Sequence, residues 1–531
     1  MGIHAASEGF MRGFTRYADI DIAYCTVEDD SAANAFYDVV RQERSLPVKA
    51  FSAKRPELLA EPGCVYLPGP GLGEFAWRRR QAFQRGFSLC GITHTTATGV
   101  VMDAIADFSV SPIQVWDALI CTSQSVHRMV CSLLEDQNNY LRERLGASTF
   151  VSPQMPVIPL GIDCSAFAPS PTSRQAWRSR LGIDEEDIAV LFFGRLSFHA
   201  KAHPIPMYQA LAKAAKNVKR RFHLIHCGWF PNEAHGTLFR NVGKEICPEV
   251  NLIFVDGLDP EARTTIWSAA DIFTSLTDNI QESFGLTPIE AMAAGLPVIV
   301  SDWDGYRDTV RDGIDGYRIP TLMAPAPFGG DLAYQHATGA INYDTYIGRT
   351  SQFVAVDIEA CAIALINLAE DSSLRQRMGA EGRRRAEARY DWKIIITEYQ
   401  YLWGELAAIR QSAGESVALE EAGPARPARP DPFHAFSSYP STSLAPSDIV
   451  SRTETGEEWL KLLRASPLVS FAEEVLPSED ESLKILRIIA DSAQPVANIV
   501  GCFAPERQGL IFRGLVWLAK FGLVAIAPGA Q

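Results

Sequence analysis

Several features that define other classes of protein are missing from this 531-residue sequence. No run of 18 apolar residues occurs, so we expect no membrane-spanning helix. The first residues, MGIHAASEGFMRGF, lack a basic stretch followed by an apolar core, so no signal peptide is expected. The ten cysteines include no Cys-x-x-Cys pair, which is typical of reduced thiols. We therefore expect a cytoplasmic protein, and leave open a peripheral position at the inner face of the membrane.

Positive charge is also in short supply. Acidic residues outnumber basic ones, 63 to 49, and the net charge is -14. A field of this sign opposes binding to nucleic acid, which is not an expected partner. The hydrophobic fraction of 47% and the charged fraction of 21% are ordinary for a globular protein. At roughly 150 residues per domain, the length predicts several domains.

Short apolar runs alternate with helical patterns in two successive stretches. In the first stretch the candidate strands are residues 21–25, 48–51, 64–67, 89–93, 118–121 and 155–159. In the second stretch they are residues 189–193, 222–226, 251–255, 272–275 and 297–301. Such alternation is typical of βαβ units on a parallel sheet. We predict two doubly wound Rossmann-like α/β domains, residues 1–165 and 166–411, the second ending in a helix over residues 391–410.

The composition changes after this point. Six of the 32 prolines lie between Pro424 and Pro446, interleaved with Ala, Ser and Arg. A stretch of this kind buries too little apolar surface to order itself, so residues 412–449 are predicted to be a linker. Residues 450–531 contain three helix-like patterns, the clearest at residues 507–521. They predict a small helical module, to which we assign no role.

The most informative segment is residues 282–300, ESFGLTPIEAMAAGLPVIV. Thr287 precedes Pro288, and Glu290 follows three residues after Thr287, which predicts a capping box and a helix beginning there. The small residues and the glycine just before it leave free N–H groups at the positive end of the helix dipole. Such an end favours binding of a diphosphate. Taken alone, Glu290 would more simply be a helix cap.

The whole string closely resembles the retaining glycosyltransferases of the GT-B fold, and glycosyltransferase family 4 in particular. Glu282 and Glu290 are separated by seven residues around Phe-Gly-Leu, and Ala-Gly-Leu-Pro and a strand follow. Arg195, in Gly-Arg-Leu, and then Lys201 resemble the family's Gly-Arg-Leu…Lys element. His94 ends a candidate strand where the family carries a histidine. On their own, these three side chains would more simply be exposed or structural.

The resemblance implies an acceptor domain and a donor domain facing each other across a cleft. Arg and Lys would neutralise the nucleoside diphosphate as it leaves the sugar, and the histidine would face the sugar. The candidate catalytic residues are His94, Arg195, Lys201 and Glu282. The candidate donor-binding residues are Ser283, Phe284, Gly285, Leu286, Thr287 and Glu290. The nucleotide sugar is a substrate, and neither a cofactor nor a metal is expected.

Some segments depart from the family pattern. Family members commonly have a glycine-rich loop after the first strand, and the matching stretch here is residues 4–9, HAASEG. Residues 158–163, IPLGID, resemble the family's Pro-Asn-Gly-Val-Asp element with Leu160 in place of Asn. Lys201 is followed by Ala-His-Pro instead of glycine. Residues 321–357 form a longer insertion than the family core requires.

Two further patterns have competing interpretations. Asp302 and Asp304 form an Asp-x-Asp, the metal signature of another glycosyltransferase fold, but aspartates favour turns and we expect a turn here. Residues 74–87, from Glu74 to Phe87, carry four arginines among Phe75, Trp77, Phe83 and Phe87. Such a helix suits either an anionic membrane surface or, more simply, packing on its own sheet.

The resemblance implies a metal-independent, retaining glycosyltransferase of the hexosyltransferase type. It would move a sugar from a nucleotide-sugar donor to a saccharide, lipid-linked or other acceptor. The sequence identifies neither the sugar nor the base. The alternative is a non-catalytic or regulatory sugar-nucleotide-binding protein whose C-terminal module binds a partner or DNA.

Overall fold

The computed structural model describes residues 2–27, 30–52, 55–82, 84–413, 424 and 426–529. It divides into two compact units, Met1–Ala425 and Arg426–Gln531. The second unit begins inside the predicted linker 412–449, of which residues 414–423 and 425 lie outside the described part. No helix in that part has both the length and the apolar character needed to cross a membrane.

The described residues of the first half of the larger unit form five α-helices and five strands. The helices are α1 (Gly2–Tyr17), α2 (Asp30–Glu43), α3 (Leu72–Ala82), α4 (Gly99–Ala106) and α5 (Gln124–Leu145). The strands are β1 (Ala23–Val27), β2 (Val48–Ser52), β3 (Cys64–Leu67), β4 (Ser88–Ile92) and β5 (Ala118–Ile120). They form two parallel sheets, β1-β2 and β3-β4-β5.

Two local predictions for this half are wrong. Residues 4–9, the expected counterpart of a glycine-rich loop, lie within α1 because the segment forms a continuous 16-residue helix. Residues 155–159 are not a strand. Gln154 and Val157 make only isolated parallel bridges to Ala118 and Cys121 at the edge of the three-stranded sheet.

The second half is built on one six-stranded sheet. Its strands are β6 (Ile188–Arg195), β7 (Phe222–Trp229), β8 (Asn251–Asp256), β9 (Ile272–Ser275), β10 (Val298–Ser301) and β11 (Gly316–Ile319). Their order is β11-β10-β9-β6-β7-β8, and every pairing is parallel. The chain therefore runs from β6 through β7 to β8 at one edge of the sheet. It then crosses to β9, on the other side of β6, and continues through β10 to β11 at the opposite edge. This order has a topological switch point between β6 and β9.

Helices cover both faces of this sheet. The helices of this half of the unit are α6 (Pro171–Leu181), α7 (Pro204–Asn217), α8 (Glu233–Ile246), α9 (Pro260–Thr265), α10 (Leu286–Ala293), α11 (Tyr306–Thr309), α12 (Gly330–Ala337), α13 (Tyr343–Ser351), α14 (Ile358–Glu370), α15 (Ser372–Arg389) and α16 (Trp392–Ser412). Alternate residues of β6 enter two different cores. Ile188 and Val190 pack on the side of α7 and α14, whereas Ala189 and Leu191 pack on the side of α10. The uninterrupted apolar strand of the sequence reflects this burial on both faces.

The last helix of the unit, α16, packs against the first half. Its Tyr399 ring lies 5.2 Å from that of Phe10 and 5.8 Å from that of Tyr66, measured between centroids. Arg410 donates to the carbonyl of Gly63 at 2.5 Å and to the hydroxyl of Ser88 at 2.6 Å. The two halves of the larger unit are thus joined at α16 as well as by the chain near residue 162.

The predicted insertion, residues 321–357, is a hairpin that carries two helices. Strands β12 (Thr321–Met323) and β13 (Val354–Val356) pair antiparallel, with Met323 opposite Val354. Helices α12 and α13 lie between them. The ends of the segment between the two strands are therefore adjacent in space.

The smaller unit combines helices with a sheet that the sequence did not predict. Its helices are α17 (Pro432–Ala435), α18 (Glu457–Ala465), α19 (Pro467–Ser470), α20 (Glu479–Ile488), α21 (Val496–Gly501) and α22 (Pro505–Lys520). Strands β14 (Ile449–Arg452), β15 (Gln494–Pro495) and β16 (Val524–Ala527) form an antiparallel sheet in the order β15-β14-β16. Ile511, Leu515 and Leu518 of α22 are fully buried in its core.

Candidate active site

The candidate catalytic residues of the second half lie at the ends of β6 and β9 or in the loops that follow them, at the topological switch point of the sheet. Arg195 is the last residue of β6, and the loop after it carries Lys201. The loop after β9 carries Glu282 and Ser283. Because the carboxyl ends of parallel strands meet at one edge, these two loops are neighbours on either side of the crevice.

Lys201 and Glu282 form an ion pair between the two loops. Their side chains are 22% and 12% exposed, so solvent screens the pair only partly. Burial acts against the charge of Lys201, but the attraction of Glu282 outweighs it, and the pKa of Lys201 is raised above its ordinary value. A permanently charged ammonium group therefore lies at the mouth of the crevice.

Arg195 is held beside Lys201 by neutral oxygens. Its guanidinium donates to the carbonyl of Ala200 at 3.1 Å and to the side-chain oxygen of Gln281 at 3.2 Å. The backbone N–H of Gln281 in turn bonds to Asn279 at 2.9 Å. Because none of these partners is a carboxylate, the positive charge of Arg195 is oriented without being neutralised. Sequence reasoning missed Gln281 and Asn279, although they stand directly before Glu282.

The predicted capping box at the start of α10 is wrong. The helix begins at Leu286 after Gly285, and no side chain caps it. Gly285 has φ +88°, a left-handed conformation that turns the chain straight into the helix. The Tyr306 ring fills the space that a side chain at Gly285 would need. Pro288 then lies within the first turn, where its missing N–H costs no helical bond.

Glu290 lies one turn into α10 and does not cap the helix. Burial raises the pKa of Glu290 to about 7, although Arg263 and Lys201 oppose the shift. Lys201 thus acts on both glutamates of the motif: it forms the ion pair with Glu282, and its charge opposes the rise in the pKa of Glu290. A carboxyl group with a pKa near neutrality is typical of a functional site.

His94 belongs to the first half but contacts the second. It follows β4, and its carbonyl accepts a hydrogen bond from the Ser283 hydroxyl. The hydroxyl of Thr122 donates to the Ser283 carbonyl at 3.3 Å. Burial lowers the pKa of the His94 imidazole, which favours its neutral form. Its buried Nε2 has no hydrogen-bond partner among the residues that the structure describes.

Further contacts hold the first turn of α5 against the second half. The Ser123 hydroxyl donates to Asp304 at 3.0 Å, and the Gln124 N–H donates to Asp308 at 2.7 Å. Asp304 has φ +41°, and burial raises its pKa to about 8. Asp302 lies near Arg307 and Arg318 instead, at 3.7 and 3.5 Å. The two aspartates of the Asp-x-Asp thus point to different partners. Within the described ranges, no three His, Cys, Asp or Glu side chains are grouped to hold a metal ion.

The basic segment of residues 74–87, which α3 covers as far as Ala82, is partly structural. Arg79 is fully buried and forms a bidentate ion pair with Asp117, at 2.6 and 2.7 Å. Phe87 is buried as well, whereas Arg78 and Arg85 are exposed. Phe83, one of the aromatic residues of this pattern, lies outside the described residues.

A family model agrees with this site. Residues 173–324 match the family described as Glycosyl transferases group 1. The match contains Arg195, Lys201 and the whole Glu282–Glu290 motif, and ends inside the β12–β13 hairpin.

Two curated relatives are named as a mannosyltransferase and a glycosyltransferase. The chain is 27% identical over 256 residues to the phosphatidyl-myo-inositol mannosyltransferase of Mycobacterium tuberculosis (strain ATCC 25618 / H37Rv), covering 47% of this chain and 54% of that relative. It is 30% identical over 168 residues to the D-inositol 3-phosphate glycosyltransferase of Geodermatophilus obscurus, covering 31% and 36%. The chain thus spans about half the length, or less, of these relatives.

A solved structure supports the architecture. Anabaena Alr3699/HepE in complex with UDP superposes with a TM-score of 0.51 and 16% identity, covering 75% of this chain and 96% of that one. At this identity the similarity concerns the fold, which is the predicted GT-B fold. Together with the match of residues 173–324, it confirms that the chain resembles the group 1 glycosyltransferases in fold and in the residues of this motif.

Proposed function

We propose that the protein is a retaining, metal-independent glycosyltransferase that uses a nucleotide sugar as donor. The observation that carries the proposal is the cluster at the switch point. Arg195 and the charged Lys201 lie beside Glu282 and the partly protonated Glu290, at the edge where α/β sheets bind ligands.

The charges of the cluster suit the departure of a nucleoside diphosphate. In the proposed complex, the diphosphate lies near the backbone of Ser283–Thr287, where α10 begins, and the ribose lies near Glu290. Negative charge develops on the phosphate oxygens as the bond to the sugar breaks. Arg195 and Lys201 stabilise that charge from fixed positions, which is the electrostatic task that a metal performs in other enzymes.

The first half supplies the other side of the cleft. His94 lies across from the motif, joined to it through Ser283. Its neutral imidazole can donate a hydrogen bond to the sugar or accept one from it. Closure of the halves around the donor excludes water, which would otherwise hydrolyse the donor.

For the acceptor we propose a saccharide or a lipid-linked polyol. Two of the relatives are named for inositol-containing acceptors, one lipid and one phosphate ester. For a lipid-linked acceptor, the exposed arginines Arg78 and Arg85 of the segment 74–87 would contact an anionic leaflet from the cytoplasmic side. Co-sedimentation with vesicles that contain an anionic lipid tests this contact, and neutral vesicles serve as the control.

The test of the proposal combines binding with product analysis. Thermal unfolding is followed with UDP, GDP, ADP and their glucose and mannose sugars, because a ligand of the native state raises the midpoint. The anomeric configuration of the product is then read by NMR, and the reaction is repeated with a chelator. We expect a midpoint shift with one base, a retained configuration and activity that survives chelation. An inverted product, or activity restored only by manganese or magnesium, would contradict the proposal. Binding without turnover would favour the non-catalytic alternative.

A further inference from the structure

The insertion between Met323 and Val354 extends over the cleft loops of the larger unit. Ile347 of α13 is fully buried in a small apolar cluster with Ala97 and Ala200. Ala97 belongs to the loop that follows β4 in the first half, and Ala200 to the loop that follows β6 in the second half. Ile280, from the loop after β9, packs against the same cluster. The insertion therefore contacts all three loops that carry the candidate catalytic residues.

These contacts are close and lie on both sides of the cleft. A Cβ atom added to Gly348 would lie 2.9 Å from the Cβ of His199, so α13 approaches the loop between Arg195 and Lys201 with no space to spare. On the other side, a Cβ atom at Gly99 would lie 3.9 Å from the His336 ring of α12. The His336 ring stacks on that of Tyr346, at 4.2 Å between centroids, which joins the two helices.

One polar group of the insertion, the Tyr343 hydroxyl, lies beside the candidate catalytic residues. The Tyr343 hydroxyl is enclosed, and the Thr95 side chain is its neighbour within hydrogen-bonding reach. Its surroundings include Thr95, next to His94, and Arg195. A phenol hydroxyl both donates and accepts, so one neighbour leaves it able to bond to a ligand hydroxyl as well. Tyr343 lies outside residues 173–324, which match the Glycosyl transferases group 1 family, and it is not among the motif residues assigned to the donor above.

We infer that the segment between Met323 and Val354 is the acceptor wall of the cleft, and that the Tyr343 hydroxyl selects the acceptor by bonding to one of its hydroxyl groups. The inference rests on the proposed function and names a substrate class, a saccharide or other polyol. The wall excludes water from the donor, and Tyr343 recognises the acceptor. Aromatic rings with a polar edge, such as Tyr343 and Tyr346, suit a ligand that is apolar on one face and hydroxylated at its rim.

The first variant tests the wall. Because Met323 and Val354 face each other on paired strands, an Asn-Gly turn can replace residues 324–353. Release of nucleoside diphosphate from the donor in water, with no acceptor added, is compared with that of the full chain. We expect at least a fivefold faster release and a nucleotide affinity within threefold of the full chain. Release within twofold of the full chain, with nucleotide still bound, would overturn the wall assignment.

The second variant tests Tyr343 and does not depend on the excised chain folding. Tyr343→Phe removes one oxygen, and Tyr401→Phe, at a position 69% exposed on α16 and outside the wall, is the matched control. Transfer to a panel of 4-nitrophenyl glycosides is measured. For the best acceptor of the panel we expect Tyr343→Phe to raise KM about tenfold with kcat within threefold, and the control to change neither. An unchanged KM, or a panel with no acceptor at all, would overturn the role of Tyr343.

These experiments distinguish the inference from the proposal beneath it. If the unaltered chain binds no nucleotide or nucleotide sugar, the proposed function fails and the inference fails with it. If the chain binds a nucleotide sugar and releases its diphosphate, but neither variant changes the stated quantity, only the inference fails.

Discussion

Lys201 retains its charge where burial alone would remove it. The Glu282 carboxylate supplies the compensating attraction, so removing either partner would leave an uncompensated charge in a partly buried site. Arg195 differs because its partners are the neutral oxygens of Ala200 and Gln281. Of the two cations, Arg195 is therefore the one whose charge is fully available to a developing phosphate anion.

Replacing Arg195 gives the sharpest residue-level prediction. Arg195→Ala should lower turnover by roughly 10²–10³, the loss typical of one preorganised donor to a developing charge. Arg180→Ala is the control, since this exposed arginine of α6 contacts Glu261 and the Trp177 ring, neither of which is a candidate site residue. Steady-state kinetics with the donor that gives the largest thermal shift provide the measurement. Turnover of Arg195→Ala within threefold of the unaltered protein would contradict the assignment.

The pKa of Glu290 predicts a pH dependence of stability. In the folded protein its pKa is about 7, against the ordinary value of 4.5, so the folded chain binds more protons than the unfolded chain between these values. The free energy of unfolding should therefore fall as pH rises from about 4.5 through about 7. Glu290→Gln abolishes this contribution. The free energy of unfolding of the variant minus that of the unaltered protein should be larger at pH 8 than at pH 5, by on the order of 2 kcal/mol.

Chemical unfolding at the two pH values measures this difference. Glu186→Gln is the matched control, because the Glu186 side chain is 89% exposed. An equal pH response of the Glu290→Gln variant and the unaltered protein would show that Glu290 titrates as it does in water.

At the scale of elements, the helix that follows the motif depends on Gly285. The left-handed φ of this residue is unfavourable for any other residue type by about 1–2 kcal/mol. In addition, the Tyr306 ring occupies the place of a Cβ atom and is held by a hydrogen bond between its hydroxyl and Ser275 at 2.9 Å. A side chain at Gly285 must therefore displace the backbone that the proposed diphosphate contacts.

Gly285→Ala should consequently impair both stability and binding. Gly313→Ala is a matched control, since Gly313 has φ +72° but no atom within 4 Å of its added Cβ. We expect the control to lose about 1–2 kcal/mol of stability and no nucleotide affinity. Gly285→Ala should lose more stability than the control and at least tenfold in affinity. Denaturant titration and calorimetry with the bound nucleotide provide the two measurements, and equal results for both variants would contradict this account.

Sequence patterns predicted which helices and strands occur better than the residues at which each begins and ends. The apolar runs identified every strand of the six-stranded sheet but β11, because strands buried on both faces appear as continuous apolar segments. The start of α10 was misplaced because Thr287, Pro288 and Glu290 satisfy a local capping pattern. The left-handed turn at Gly285 and its packing against Tyr306 override that pattern. Tyr306 is distant in the sequence, so this competition was not visible there.

At the scale of the whole molecule, the family resemblance predicts that the candidate site is divided between two halves. The structure shows the contacts that join these halves. Ser123, Gln124 and Asp308 give no sequence signal, because serines, glutamines and aspartates in loops are mostly exposed. Asp304 is part of an Asp-x-Asp pattern, but that pattern predicts a turn and not a contact with Ser123. Their hydrogen bonds form only once two separately folded sheets approach each other. The same holds for Ile347, whose apolar character does not reveal that it reaches both cleft loops.

The bond between Asp308 and Gln124 provides a test of closure. Asp308 of the second half accepts from the backbone N–H of Gln124, in the first turn of the 22-residue helix α5 of the first half. A carboxylate at a helix N-terminus is stabilised by the free N–H groups and the helix dipole, so this contact favours the closed arrangement. Asp308→Ala should leave nucleotide affinity within threefold, because the proposed nucleotide contacts lie in the second half. It should lower turnover about fivefold to tenfold, since one contact of this kind contributes roughly 1 kcal/mol or slightly more to closure.

The matched control is Asp312→Ala, which also removes a carboxylate bonded to a backbone N–H, that of Arg318 at 2.8 Å, but within the second half alone. Both variants lose one comparable bond, so any general loss of stability affects them alike. A difference in turnover at equal nucleotide affinity therefore reports on contact between the halves. If the two variants turn over at the same rate, the bond between Asp308 and Gln124 does not govern closure, and Ser283 and Asp304 become the contacts to test next.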